Sequence, residues 1–147
     1  MNKYYPYPKR DPIKNYSPMP NEVYYLGLSY GAIAVYGYLL HIENRETYQS
    51  YAGFNTIGRA VKMSPNTVRK YVSELEEKRL VRTEPTTVIT RDGRKRNGNL
   101  RYTIRPIEEA VLYHFEKQLC KAEEEQARLR CLTALEKYDR KHQKTAV

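Results

Sequence analysis

The chain has little of what membrane proteins, disulfide scaffolds and metal centres require. No apolar run approaches the ~20 residues of a membrane span, and the opening MNKYYPYPKRDP is not a secretory signal. The two cysteines, Cys120 and Cys131, fall in one predicted helix where they cannot reach each other, and neither has a metal-ligand spacing. We therefore expect a cytoplasmic protein with reduced thiols, no membrane association and no bound metal.

Residues for catalysis are sparse as well. His41, His114 and His142 are scattered along the chain, and no glycine-rich loop could hold a phosphate. Carboxylate pairs such as Glu108 and Glu109 belong to a helical surface of balanced charge. The sequence therefore predicts neither an enzyme nor a cofactor.

Positive charge, in contrast, is abundant, and it is concentrated in the middle of the chain. The net charge is +9, and residues 55–106 alone give 13 − 5 = +8 from Lys plus Arg minus Asp plus Glu. Residues 1–28 give 4 − 2 = +2, residues 29–54 give 1 − 2 = −1, and residues 107–147 give 8 − 8 = 0. This partition predicts an acidic partner: nucleic acid, an anionic membrane surface or an acidic protein.

Residues 1–27 are rich in tyrosine and proline and have no helical or alternating period, which predicts an extended arm. Its later part, MPNEVYYLG, can pack on the following domain. The tyrosines interleaved with Lys9, Arg10 and Lys14 can stack on bases or follow a nucleic-acid backbone. Loose packing and contacts with a partner are the favoured interpretation of these tyrosines, and binding to nucleic acid is the alternative.

Two helices are predicted next. Ser29 is a good N-cap for the first, in which Ile33, Tyr36, Leu39 and Leu40 have helical spacing and which should end near residues 43–44. The segment RETYQSYAGF is expected to be a connection. A second, short helix over residues 54–61 should bury Ile57 and Val61.

The stretch KMSPNTVRKYVSELEEKRLV predicts a short turn and a third helix. Ser64 is its N-cap, and Pro65 occupies the first position, where no amide hydrogen is needed. Lys62 stands where such turns commonly have glycine, and a left-handed backbone there would cost about 1 kcal/mol. We expect a differently shaped turn, with a phosphate contact of Lys62 as the alternative. Val68, Tyr71, Val72 and Leu75 form the predicted buried stripe, and Asn66, Thr67, Arg69, Lys70 and Ser73 face outward.

After Val81 the apolar period becomes two. TVIT (87–90) and LRYTI (100–104) are predicted as the two strands of a β-hairpin, and the turn-forming, basic RDGRKRNGN is its tip. Leu100, Tyr102 and Ile104 should point to one face, and Arg101 and Arg105 to the other.

From Ile107 to about Lys141 nothing interrupts a helix. The predicted organisation is therefore an arm over residues 1–27, a domain over 28–106 and a C-terminal helix over 107–147. The leucines of that helix form an apolar seam, and we expect a homodimer that buries it. Gln126 and the glutamates at 123–125 interrupt the seam, so we do not expect a strict coiled coil. Packing on the first helix of the same or a neighbouring subunit should cover the seam.

Two helices joined by a three-residue turn and followed by a basic hairpin make a winged helix-turn-helix. TIGRAVKMSPNTVRKYVSELEEKRLV resembles the winged helix-turn-helix of bacterial regulators and of replication-initiator proteins of plasmids, phages and integrative elements. MPNEVYYLGLSYGAIAVYGYLLHIE resembles the initiators in particular. This resemblance covers Met19 to Pro106. It implies a mostly α fold with a small β-hairpin, and control of transcription or replication initiation of a mobile element.

A helix of this kind fits the major groove of B-DNA with its N-terminal residues at the base edges. Asn66 suits adenine, Arg69 suits guanine, and Thr67 can read thymine or a phosphate. The predicted DNA-binding residues lie on the third helix, on the second helix and on the wing: Ser64, Asn66, Thr67, Arg69, Lys70 and Ser73; Asn55, Thr56 and Arg59; Arg91, Arg94, Lys95, Arg96 and Arg101.

Binding of double-stranded DNA by a homodimer is thus the leading interpretation, and no effector ligand is indicated. A module that docks into a larger assembly through the C-terminal helix and the N-terminal arm is the alternative. Binding of RNA or single strands through the tyrosines is a weaker third.

Overall fold

A computed structural model of the chain describes residues 15–145, so most of the predicted arm, residues 1–14, lies outside the described part. A short 3-10 helix, Asn21–Tyr25, precedes four α-helices: α1 Tyr30–Ile42, α2 Phe54–Val61, α3 Pro65–Glu77 and α4 Ile107–Gln143. The strands are β1 Gln49–Ala52, β2 Val81–Glu84, β3 Thr87–Ile89, β4 Lys95–Asn97 and β5 Leu100–Ile104. This is the predicted class, a mostly α winged helix-turn-helix with a long C-terminal helix. The chain divides into two units, the first ending at Ala110 and the second starting at Val111.

The later part of the predicted arm belongs to the core. Val23 and Leu26 are buried, with 0% and 3% of their surface exposed. The Met19 side chain lies against Gly37 of α1. The packed domain therefore starts before Leu28, because Val23 and Leu26 are already part of the core.

The start of α1 is held by another helix. Ser29 is the N-cap residue, but its side chain does not cap α1. Its amide and its hydroxyl donate instead to the Glu74 carboxylate of α3, at 3.0 and 2.5 Å. Ile33, expected in the buried stripe, is only half-buried, and Val35 is fully buried. The difference arises because α1 packs against both α2 and α3, which widens and shifts its buried face.

The segment RETYQSYAGF is not just a connection, since it contains β1. Strand β5 is the centre of a three-stranded antiparallel sheet in the order β1-β5-β2, with Ser50 opposite Tyr102 and Val81 opposite Ile104. Strand β1 escapes sequence analysis because its four residues, QSYA, include no β-branched side chain and gain their hydrogen bonds from a strand ~50 residues later.

The wing also differs from the predicted single hairpin. Strand β3 pairs with β4, with Val88 opposite Arg96, and β5 pairs with β1 and β2. Lys95–Asn97, assigned to the tip from the sequence, is therefore a strand. The turn is shorter, with Thr90 N–H and Arg94 O hydrogen-bonded at 3.0 Å and Gly93 in the left-handed region at φ 72°.

Helix α4 spans 37 residues, close to the predicted range. Ala110 is its last fully buried residue, and every described residue from Phe115 to Thr145 is exposed. Packing of these leucines on the first helix of the same or a neighbouring subunit stays a prediction. Among the described residues, no helix is both long and apolar enough to cross a membrane.

We predict that the protein loses stability at alkaline pH through Tyr36 and Tyr102. Burial raises the pKa of each phenol to about 12, whereas unfolded tyrosine ionises near ~10. The contribution of these two phenols to stability should therefore be constant below pH ~10 and fall as the pH rises towards ~12, because only the unfolded chain then releases these protons. Urea unfolding followed by circular dichroism at increasing pH measures this.

The Tyr102→Phe variant serves as the comparison. The Tyr102 hydroxyl is buried and has no hydrogen-bond partner among the described residues, so its removal should leave stability at pH 7 unchanged within about 1 kcal/mol. The variant should also lose less stability at high pH. A larger loss at pH 7 would contradict the assignment of an unpartnered hydroxyl.

Candidate nucleic-acid interface

The start of α3 is built as the sequence predicts. The Ser64 hydroxyl accepts a hydrogen bond from the Thr67 amide at 3.3 Å and lies 2.7 Å from the Thr67 hydroxyl, and Pro65 opens the helix. The predicted buried stripe is confirmed, with Val68, Tyr71, Val72 and Leu75 all buried. The opposite side of α3 therefore has to face outward.

The turn between α2 and α3 is a left-handed cap, so the expectation of a differently shaped turn is wrong. Lys62 has φ 59° and ψ 47°. The amides of Lys62 and Met63 both donate to the Gly58 carbonyl, the second at 2.9 Å. A Cβ on Gly58 would lie 2.4 Å from the Met63 carbonyl oxygen. Gly58 is therefore required by this close backbone approach, and Lys62 takes the conformation that glycine would adopt more readily.

The N-terminal half of α3 exposes the polar side chains of Asn66, Arg69 and Lys70. The hydroxyl groups of the other predicted α3 residues have internal contacts. Ser64 and Thr67 share the helix cap, and the Ser73 hydroxyl donates to the Arg69 carbonyl at 3.0 Å. The structure thus favours Asn66, Arg69 and Lys70 as the residues that can reach a ligand beyond the surface.

Arg69 is positioned by an aromatic ring that the sequence analysis missed. Its guanidinium carbon lies 5.5 Å from the centre of the Phe54 ring, at the start of α2, within the range of a cation–π contact. The sequence feature that indicates this contact is Phe54 itself, a large aromatic residue at the first position of α2 that is not fully buried. Asn55, Thr56 and Arg59 of α2 are exposed, as predicted. Helix α2, which carries them, packs on α3.

Two glutamates near the C-terminal end of α3 hold the helix to neighbouring elements. Glu74 holds the start of α1, as described above. The Glu76 carboxylate accepts hydrogen bonds from the Thr83 hydroxyl and, at 3.0 Å, from the Thr83 amide at the base of the wing. These contacts tie the far end of α3 to α1 and to β2, and neither was predicted.

The wing carries exposed Arg91, Arg94, Lys95 and Arg96. Arg101, predicted with them, has a different environment. It lies directly opposite Glu84 in the β2–β5 pairing and forms an ion pair with that carboxylate, which also contacts Arg82 at 3.0 Å. The hydrogen bond from Arg101 lowers the pKa of Glu84. Arg101 is therefore part of a cross-strand ion pair, and we leave it out of the candidate interface.

The sequence and the fold are similar to those of some known proteins. Residues 26–81 match the helix-turn-helix domain family. No curated protein matches the chain.

Two solved structures are similar. One is a possible transcriptional regulator from Methanosarcina mazei, with 16% identity over 70% of this chain and 80% of that chain and a TM-score of 0.46. The other is a cysteine-to-serine variant of Lactococcus lactis ZitR in complex with DNA, with 19% identity over 79% of this chain and 68% of that chain and a TM-score of 0.34. At these scores neither likeness carries an argument about this chain.

The left-handed turn gives a stability prediction. Lys62→Gly should raise the free energy of unfolding by about 1 kcal/mol, because glycine adopts this conformation without the Cβ penalty. Gly58→Ala should have the opposite effect, since its Cβ meets a backbone carbonyl that cannot move aside. Chemical denaturation of both variants measures the difference. An unchanged or lowered stability of Lys62→Gly would show that the lysine side chain stabilises the turn by other contacts.

Proposed function

We propose that this chain binds double-stranded DNA in a sequence-specific way, as a homodimer. The observation that carries the proposal is the outward face of α3, where Asn66, Arg69 and Lys70 project beside a strongly basic wing. The match of residues 26–81 to the helix-turn-helix domain family supports it.

The N-terminal half of α3 suits the major groove. An α-helix fits that groove, an arginine can make two hydrogen bonds to guanine, and an asparagine can make two to adenine. The cap at Ser64 fixes the helix start, and Phe54 restricts the Arg69 side chain. Both reduce the conformational freedom that has to be lost on binding.

The wing suits the phosphates or the minor groove. Its basic residues are exposed on a two-stranded ribbon outside the main sheet, so they can approach DNA without unpairing the central strand β5. Their contribution should be electrostatic and independent of sequence.

The proposed biological role is control of transcription or replication initiation of a mobile element, in the cytoplasm and without catalytic activity. Its support is the resemblance of residues 19–106 to regulators and replication initiators, together with the concentration of positive charge in residues 55–106.

A protein-interaction module is the second candidate, and one observation favours it. Helix α4 exposes seven large apolar side chains: Leu112, Phe115, Leu119, Leu129, Leu132, Leu135 and Tyr138. In that case α4 would dock into a larger assembly, and the winged domain would have an architectural role.

Selection from random duplexes separates the two candidates. A DNA-binding protein should enrich a common motif, and the enriched duplex then serves for the variants below. Failure to enrich any motif, with no measurable affinity for random duplex at low salt, would contradict the proposal and favour the interaction module.

We predict that Arg69 contributes to specificity. Arg69→Ala should cost about 1–3 kcal/mol on the selected duplex and relax the preference at one base pair. Phe54→Leu should shift affinity in the same direction but less, because Arg69 stays and only its positioning ring is lost. Fluorescence anisotropy on the selected duplex and its single-base variants measures both. Equal weakening on all duplexes would make Arg69 a phosphate contact.

We predict that the wing contributes to affinity. Replacing Arg94, Lys95 and Arg96 together by glutamine should weaken binding to selected and random duplexes alike. It should also reduce the log–log slope of affinity against salt by roughly two to three units. Arg101→Gln, on β5 of the main sheet, is the control for loss of a basic side chain outside the wing, and its slope should change little because its charge is paired with Glu84. An unchanged slope in the triple variant would place the wing tip in solvent.

A further inference from the structure

Helix α4 carries an apolar stripe that the single chain leaves exposed. Leu119 is 65% exposed and Leu132 is 50% exposed, in a helix with no fully buried residue after Ala110. From Leu112 to Leu129, five apolar residues and one polar residue, Gln126, alternate in steps of three and four, as in a two-helix seam: Leu112, Phe115, Leu119, Ala122, Gln126 and Leu129. Exposed apolar surface of this extent indicates a protein partner.

The two halves of the helix have opposite charge. Residues 107–125 carry two basic and six acidic side chains, 2 − 6 = −4, and residues 126–143 carry five basic and two acidic, 5 − 2 = +3. Helix-dipole effects account for acidic residues in the first turn and basic residues in the last. They do not account for Glu123, Glu124 and Glu125 next to Arg128 and Arg130, which lie several turns from either end.

We propose that α4 pairs with α4 of a second copy in the antiparallel direction. This inference specifies the homodimer of the proposed function and rests on it. Antiparallel pairing about the middle of the helix, near residue 125, places each negative half against a positive half. It also brings the three central glutamates of one copy close to Arg128 and Arg130 of the other. Parallel pairing in register would place the three glutamates beside their own copies, which is unfavourable.

The apolar stripe agrees with this direction. With the midpoint near residue 125, Ala122 of one copy lies level with Leu129 of the other, and both belong to the same face of the helix. The pairing therefore matches a small residue with a large one at the centre.

Distances between spin labels in the full-length protein test the direction. Cys120→Ser and Cys131→Ser together remove the native thiols, and Glu108→Cys or Lys141→Cys adds one exposed label near either end. In an antiparallel pair, two labels at 108 should be about 50 Å apart, as should two at 141, from the 1.5 Å rise per residue. Mixing the two labelled proteins should add a short distance below roughly 20 Å, because the helix axes lie ~10 Å apart. Short distances in the unmixed samples would show a parallel pair and overturn the proposal.

Two further measurements complete the test. Sedimentation should give a dimer whose dissociation constant rises several-fold from low to high NaCl, because attraction between opposite charges is screened. Leu119→Glu with Leu132→Glu should give a monomer that keeps its helical circular-dichroism signal. A full-length protein that stays monomeric at about 100 μM would overturn the proposal. A dimer whose dissociation constant falls as NaCl is raised would overturn it as well. Neither outcome bears on the enriched duplex motif, which tests DNA recognition by itself.

Discussion

The geometry of the candidate interface depends on one close backbone approach. The Gly58 carbonyl accepts the amides of Lys62 and Met63, and the Met63 carbonyl lies so near Gly58 that no side chain fits there. This approach sets the angle at which α3 leaves α2. The burial of Val68 and Leu75, and the outward direction of Arg69, follow from that angle. Lys62 therefore adopts a strained left-handed conformation, because the chain has no glycine at that position.

Helix α3 serves the core and the outer surface at once, and different residues hold it on each side. Apolar residues hold its inner face, whereas Glu74 and Glu76 fasten its last turns to Ser29 and Thr83. A carboxylate that accepts two hydrogen bonds from a neighbouring element restricts that element more than an apolar contact does. The outward residues at the other end of α3 are thereby held in a defined orientation without touching the core.

Charge has two different uses in this chain. In the winged domain, positive side chains lie on one ribbon and on the outer faces of α2 and α3, which favours a negatively charged partner. In residues 107–147, equal numbers of positive and negative side chains are separated along the chain, which favours a partner with the reverse order. The net charge of +9 conceals this difference, because the second pattern sums to zero.

The features that the sequence alone determined are those that depend on neighbouring residues. The Ser64 cap, the stripe from Val68 to Leu75, the basic wing and the uninterrupted helix after Pro106 are local, since propensity, capping and periodicity act within a few residues. Tertiary structure decided the rest. Strand β1 forms only because β5 supplies its partner, Arg101 turns to Glu84 because the β2–β5 register places them opposite each other, and Phe54 meets Arg69 because α2 and α3 pack together. Each of these contacts joins residues that are distant in the chain, and no local pattern encodes the distance between them.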